Sequence, residues 1–200
     1  AWETGDLERA RELYAERVAA DSTDTLALFR LALLHGWNQD YRESIALFDK
    51  LIAVAPDNLD ARIARARVFA WQDDLDRATR DLADLVAEHP DYVPAIQALA
   101  TFRSWAGEYD RAMELFRRIA ELAPDNREVH YQRARVLGWA NRFDRARAVY
   151  DSLLTDDPGD VQALLGLAQI LSWEDRLDTA QAVYRTILDE DPDNLDAMTG

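Results

Sequence analysis

The 200-residue chain is 48% apolar with a mean hydropathy of −0.36, and no stretch approaches the roughly 18 uninterrupted apolar residues of a membrane span. Its 38 acidic residues against 23 basic ones leave a net charge of −15, a field that repels nucleic acid and anionic membranes and favours solubility. With no cysteine there is neither disulfide nor thiolate chemistry, which suits an oxidising envelope compartment and leaves the cytoplasm open.

Residues 1–24 begin without Met and without a basic or apolar leader, as if cut from something longer. They supply one amphipathic helix over about Leu7–Ala20, and Trp2 sits ahead of it. From there the chain repeats every 34 residues. Trp37, Trp71, Trp105, Trp139 and Trp173 keep that step without drift, as do Pro56, Pro90, Pro124, Pro158 and Pro192. A fixed period of this length marks an array in which each repeat buries its apolar face only against its neighbours. Aligned on the prolines, the five repeats are 25–58, 59–92, 93–126, 127–160 and 161–194, followed by the start of another at 195–200. Trp2 lies one residue early relative to its five counterparts. No polar capping helix closes the array, so the sequence reads as a fragment of a longer one.

Numbering positions 1–34 within a repeat, position 8 is always alanine: Ala32, Ala66, Ala100, Ala134 and Ala168. Position 20 is Ser44 and then Ala78, Ala112, Ala146 and Ala180. Positions 17 (Tyr41, Leu75, Tyr109, Phe143, Leu177) and 24 (Phe48, Leu82, Phe116, Tyr150, Tyr184) are large and apolar. The 17–20–24–27/28 spacing is a helical stripe and not strand alternation. Each repeat is therefore predicted to hold helix A over about positions 1–14 and helix B over about 16–29. A short polar turn joins them, and a Pro-Asp-Asn type link, whose Asp or Asn can cap the next helix, follows.

These features resemble the tetratricopeptide repeat (TPR) family over essentially the whole chain: small residues at 8 and 20, an aromatic at 24, and proline at 32. The resemblance implies an all-α, right-handed superhelical TPR solenoid of antiparallel helix pairs, about five full repeats plus partial ends. Three positions depart from the family pattern. Position 4 is Leu28, Arg62, Ile96, His130 and Leu164, position 11 is His35, Phe69, Arg103, Leu137 and Leu171, and position 27 is Leu or Ile.

The resemblance also implies that A helices line a concave groove in which positions 2, 5, 6, 9, 12 and 13 face a protein or peptide ligand. Trp is not the family's usual residue at 13, so Trp37, Trp71, Trp105, Trp139 and Trp173 are candidate groove residues. Arg67 and Arg135 precede Trp71 and Trp139 by four residues, natural spacing for a cation–π contact. Gln97 and Tyr131, at the variable position 5, complete the candidate set. Two roles stay open for the indoles: structural wedges over the A–B turn, or a ladder shown to a ligand. Position 12 is always small (Gly36, Ala70, Ser104, Gly138, Ser172), which exposes an indole face or lets helix B pack close. Helix A of repeats two and four is basic (Arg62, Arg65, Arg67; Arg127, Arg133, Arg135), forming either an anion strip or salt bridges to neighbouring Asp.

No catalytic constellation emerges. His35, His89 and His130 occupy different repeat positions without ligands at metal spacing, there is no Gly-rich phosphate loop, and Asp73-Asp74 and Asp156-Asp157 read as caps or solvated charge. The Lys/Asn set with which chaperone-binding TPRs grip a carboxylate is missing. The expectation is a non-catalytic interaction scaffold without metal or cofactor. Alternatively, the Trp at position 13 is similar to TPR segments of bacterial exopolysaccharide export systems, such as the periplasmic TPR component of cellulose synthase. That resemblance implies a periplasmic segment guiding a polysaccharide along the indoles; on either reading the net charge and the lack of an apolar span point to no nucleic acid partner and no membrane insertion.

Overall fold

A computed structural model describes residues 4–200, with side chains from Asp6 onward. Trp2 lies outside the described residues. The described secondary structure is helical throughout: α1 (Thr4–Ala20), then the pairs α2 (Thr25–Trp37) and α3 (Tyr41–Val54), α4 (Leu59–Trp71) and α5 (Leu75–Glu88), α6 (Val93–Trp105) and α7 (Tyr109–Leu122), α8 (Arg127–Trp139) and α9 (Phe143–Asp156), α10 (Val161–Trp173) and α11 (Leu177–Glu190), and last α12 (Leu195–Thr199). The even-numbered helices from α2 to α10 are the A helices and their partners the B helices.

Helix A occupies positions 1–13 and helix B positions 17–30, each boundary within a residue or so of the sequence reading. The A–B turn explains the difference. In every repeat the backbone N–H of position 16 donates to the carbonyl of position 11 at 2.8–3.0 Å, and that of position 15 donates to position 12 at 2.9–3.1 Å. This is the Schellman closure, which requires a left-handed residue at position 15. Gln39, Asp73, Asn141 and Asp175 adopt φ of 56–66° there, and Gly107 adopts 76°. The closure ends helix A at tryptophan in all five repeats.

At the other end, Asp24, Asn58, Asp160 and Asn194 each accept a hydrogen bond from the backbone N–H three residues on, at 2.9–3.1 Å, as N-caps of the following A helix. The Pro-Asp-Asn link thus stops one helix and starts the next.

Residues 1–102 and 103–200 form two compact units. In the first, Leu28, Ala32, Phe48, Leu51, Ala61 and Val68 make a buried cluster from α2, α3 and α4. The second has one cluster around Leu137, Tyr150, Leu153 and Ile170 and another around Leu171, Tyr184, Ile187 and Ala197. Positions 8, 20, 24 and 27 are buried in every repeat. The small residues do what their spacing implied: Ser44 donates its Oγ–H to the Ala32 carbonyl at 2.7 Å, so helices α2 and α3 touch backbone to side chain. Position 3 (Ala27, Ala61, Ala95, Val129, Ala163, Ala197) is also buried throughout. Position 17 is less buried than its hydrophobicity suggests, and Leu177 is exposed.

Candidate binding groove

The Schellman turn fixes each tryptophan on the last residue of helix A, beside the small residue at position 12. Trp37, Trp105, Trp71 and Trp173 keep 58%, 53%, 41% and 41% of their surface exposed, and Trp139 is half-buried. The covered edge has a definite seat. A methyl placed on Gly36 would stand 3.0 Å from Cζ3 of Trp71, and one on Gly138 would stand 2.6 Å from Cζ3 of Trp173. An indole therefore rests on position 12 of the A helix one repeat earlier, next to the previous tryptophan. The small residues do not only bare their own neighbour; Gly36 and Gly138 receive the following one. Trp71 and Trp173 thus have one edge covered by the preceding helix and the rest exposed.

Of the arginines expected beside the indoles, Arg135 lies over Trp139 with its guanidinium carbon 5.4 Å from the ring. Arg67 is exposed, and no such contact joins it to Trp71 among the described residues. Gln97 is half-buried, and its backbone carbonyl accepts from the Thr101 hydroxyl at 2.9 Å. Tyr131 is tied down: its hydroxyl donates to Asp160 at 2.5 Å, and Arg127 reaches the same carboxylate oxygen at 2.5 Å. Burial works against ionisation of Asp160, but hydrogen bonds from Tyr131, the Ala163 N–H and Arg127 hold its carboxyl below the usual carboxylate range. The basic residues of repeat two are largely paired: Arg62 with Glu88, and Arg65 with Asp49 at 2.6 Å and Asp81 at 2.7 Å.

A cleft of about 390 Å³ opens in the second compact unit over the A helices α8, α10 and α12. Tyr131, Arg135, Gln162, Leu165 and Gln169 line it from positions 2, 5 and 9 of their repeats. Two further residues, Tyr150 and Tyr184 of the B helices, were legible in the sequence only as core. Each passes its ring between A helices at a glycine. A methyl on Gly166 would collide with the Tyr150 hydroxyl oxygen, and one on Gly200 would lie 2.5 Å from that of Tyr184. Both tyrosines line the cleft while only 4% and 8% exposed, and neither hydroxyl has a hydrogen-bond partner among the described residues. Burial pushes the Tyr150 phenol up to about 12, so it remains a donor at neutral pH. The signal for these residues was present: glycine at position 6 follows tyrosine at position 24 of the preceding repeat, whereas Phe48 and Leu82 are followed by Ala64 and Ala98.

The sequence profile of the tetratricopeptide repeat family matches residues 38–101, 105–154 and 140–199. Among curated proteins, none matches the sequence. Solved structures with this fold include YrrB, a TPR protein with an unusual peptide-binding site (16% identity, TM-score 0.62, spanning 94% of this chain and 97% of that one). A tetratricopeptide repeat protein from Parabacteroides merdae aligns at 17% identity and TM-score 0.80, over 93% of this chain and 74% of its own. The thermophilic TPR protein TTC0263 of Thermus thermophilus aligns at 22% identity and TM-score 0.65, over 88% and 95%. At these identities the structural likeness establishes the fold, and the profile establishes the lineage. The chain belongs to the tetratricopeptide repeat family.

Proposed function

We propose that the chain is a non-catalytic interaction scaffold that holds a peptide segment of a partner protein against its A helices. The observation that carries this reading is the cleft in residues 103–200. Its floor offers two phenol hydroxyls, carried on largely buried rings and without a hydrogen-bond partner among the described residues, and its walls offer the carboxamides of Gln162 and Gln169 and the Arg135 guanidinium. A donor that lines a cleft without a protein partner is free to bond a ligand, and an extended backbone with its alternating carbonyls supplies the acceptors. YrrB, of similar fold, is a TPR protein with a peptide-binding site.

Peptides selected on the intact chain from a random display library, then titrated by calorimetry, test the reading. Tyr150→Phe removes only an unpartnered hydroxyl, so it leaves thermal stability unchanged and weakens the selected peptides by about five-fold or more. Arg135→Gln weakens those that carry a carboxylate. Equal affinity of every selected peptide for both variants rules out this cleft as the site.

The exposed indoles support a second reading, a polysaccharide guided along the tryptophans. Stacking on glucan oligomers quenches or shifts the intrinsic fluorescence, and Trp105→Ala weakens the titration. A flat titration with every oligosaccharide removes this reading and leaves the first intact.

A further inference from the structure

Repeats two and four both carry arginine at positions 7 and 19, yet only in repeat two do both of these have a side-chain partner among the described residues. In repeat two, Arg65 at position 7 is held by Asp49 and Asp81, and Arg77 at position 19 lies over the Phe69 ring at 4.0 Å. The counterparts in repeat four are Arg133 and Arg145. There the places of Asp49 and Asp81 are taken by Arg117 and Val149, and that of Phe69 by Leu137. Arg133 and Arg145 have neither a carboxylate nor a ring partner among the described residues. His130 stands at position 4, where repeat two has the Arg62–Glu88 pair. A chain with 38 acidic residues does not lack the means to neutralise two arginines.

A cleft of about 750 Å³ opens at this spot, among α7, α8 and α9 within the second compact unit. Arg133 and Arg145 contribute its positive charge, together with Arg127, whose guanidinium is already engaged by Asp160, and His130 lines it beside them. Met113, Leu137, Val149 and Leu153 provide an apolar wall. Asp125 and Asp156 also line it, both exposed and neither ion-paired with these arginines among the described residues. The cleft is separate from the one that Tyr131 and Arg135 line, although α8 contributes to both. Its volume falls in the range of small-molecule sites, several hundred Å³ on the order of 300–1,000. That is larger than a bare inorganic anion needs.

We propose that this cleft binds a small organic oxyanion of the phosphate monoester type. The anionic head sits between Arg133 and Arg145, and the apolar body lies against Met113, Leu137 and Val149. A guanidinium fork matches phosphate oxygens in geometry and charge, and the half-buried Arg133, without a counter-ion, gains more from one than the exposed Arg145. Where Arg65 has two carboxylates and Arg77 an aromatic ring, Arg133 and Arg145 have Arg117, Val149 and Leu137.

Calorimetric titration of the intact chain with phenyl phosphate tests this, with inorganic phosphate and benzyl alcohol as the head-only and body-only probes. Phenyl phosphate binds saturably, inorganic phosphate several-fold more weakly, and benzyl alcohol not at all. Arg133→Gln and Arg145→Gln each weaken phenyl phosphate by about ten-fold. Val149→Asp places a carboxylate where Asp81 stands beside Arg65, so it abolishes binding while the melting temperature holds or rises. This variant separates loss of the site from loss of the fold. The proposal is overturned by no saturable binding at millimolar phenyl phosphate, or by unchanged affinity in Arg133→Gln and Val149→Asp. Inorganic phosphate binding as tightly as phenyl phosphate, or benzyl alcohol binding equally, overturns it too.

Discussion

Gly138 shows how much of this array rests on single atoms. A methyl added there meets Cδ1 of Ile170 and, at 2.6 Å, Cζ3 of Trp173, so α10 must retreat from α8. Gly138→Ala is expected to cost about 1–3 kcal/mol, read as a lower urea midpoint. Gly36→Ala costs less, because its nearest contact is 3.0 Å. Gly159→Ala is the control: its nearest neighbour is Asp157 Oδ1 at 3.8 Å, and its midpoint stays close to that of the parent. The tyrosine–glycine pairs follow the same logic. Tyr150 and Gly166 form one packing unit split between two repeats, as Phe48 and Ala64 share one buried cluster. In the sequence these residues looked like a core aromatic and an unremarkable groove position, since neither carries its partner's identity. Only the pairing across the repeat boundary exposes the hydroxyl's destination.

At the scale of the helix pair, the A–B turn is the element that sets register. Its left-handed residue is glycine only in repeat three, and Gly107 has no heavy atom within 4 Å of an added methyl. Gly107→Ala therefore isolates the backbone penalty, expected at about 1 kcal/mol and measured as a lower midpoint at unchanged m-value. Helix lengths, the capping Asp and Asn residues and the buried stripe at positions 8, 20, 24 and 27 were all legible, because propensity and 34-residue periodicity agree there. The turn's handedness was not. Gln39, Asp73, Asn141 and Asp175 read as generic polar turn residues, and the hydrogen bonds that demand their conformation come from the backbone, which the sequence does not vary.

For the whole chain, acid is the informative perturbant. Asp21, Asp24, Asp40, Glu88, Glu108 and Asp160 all have carboxyls held below their ordinary range. The hydrogen bond from Thr23 dominates at Asp21, the Ala27 N–H at Asp24, Asn38 at Asp40 and Arg62 at Glu88. At Glu108 burial opposes the shift, and the Arg103 and Arg111 bonds outweigh it. Because the folded values are depressed, their contribution is complete above the unfolded carboxylate range near pH ~4 and disappears as pH falls through the folded values. The melting temperature should hold between pH 7 and 5 and fall below about pH 4. Asp160→Asn, which keeps an N-cap acceptor but removes the charge shared by Arg127 and Tyr131, lowers the plateau and flattens that fall. The overall class was visible in the tryptophan and proline rulers. The locations of the two clefts were not, because both depend on which repeat leaves a donor or a cation without its usual neighbour.

The seat of each indole carries one last consequence. Trp71 and Trp173 are clamped on one edge by the preceding helix and open on the other, so their exposed faces are already frozen before anything arrives. A ligand stacking there gives up little side-chain entropy of the protein. It also presses on the contact that joins two repeats. On the reading in which the indoles meet a ligand, occupancy at Trp71 or Trp173 and the tightness of that repeat joint become a single mechanical variable.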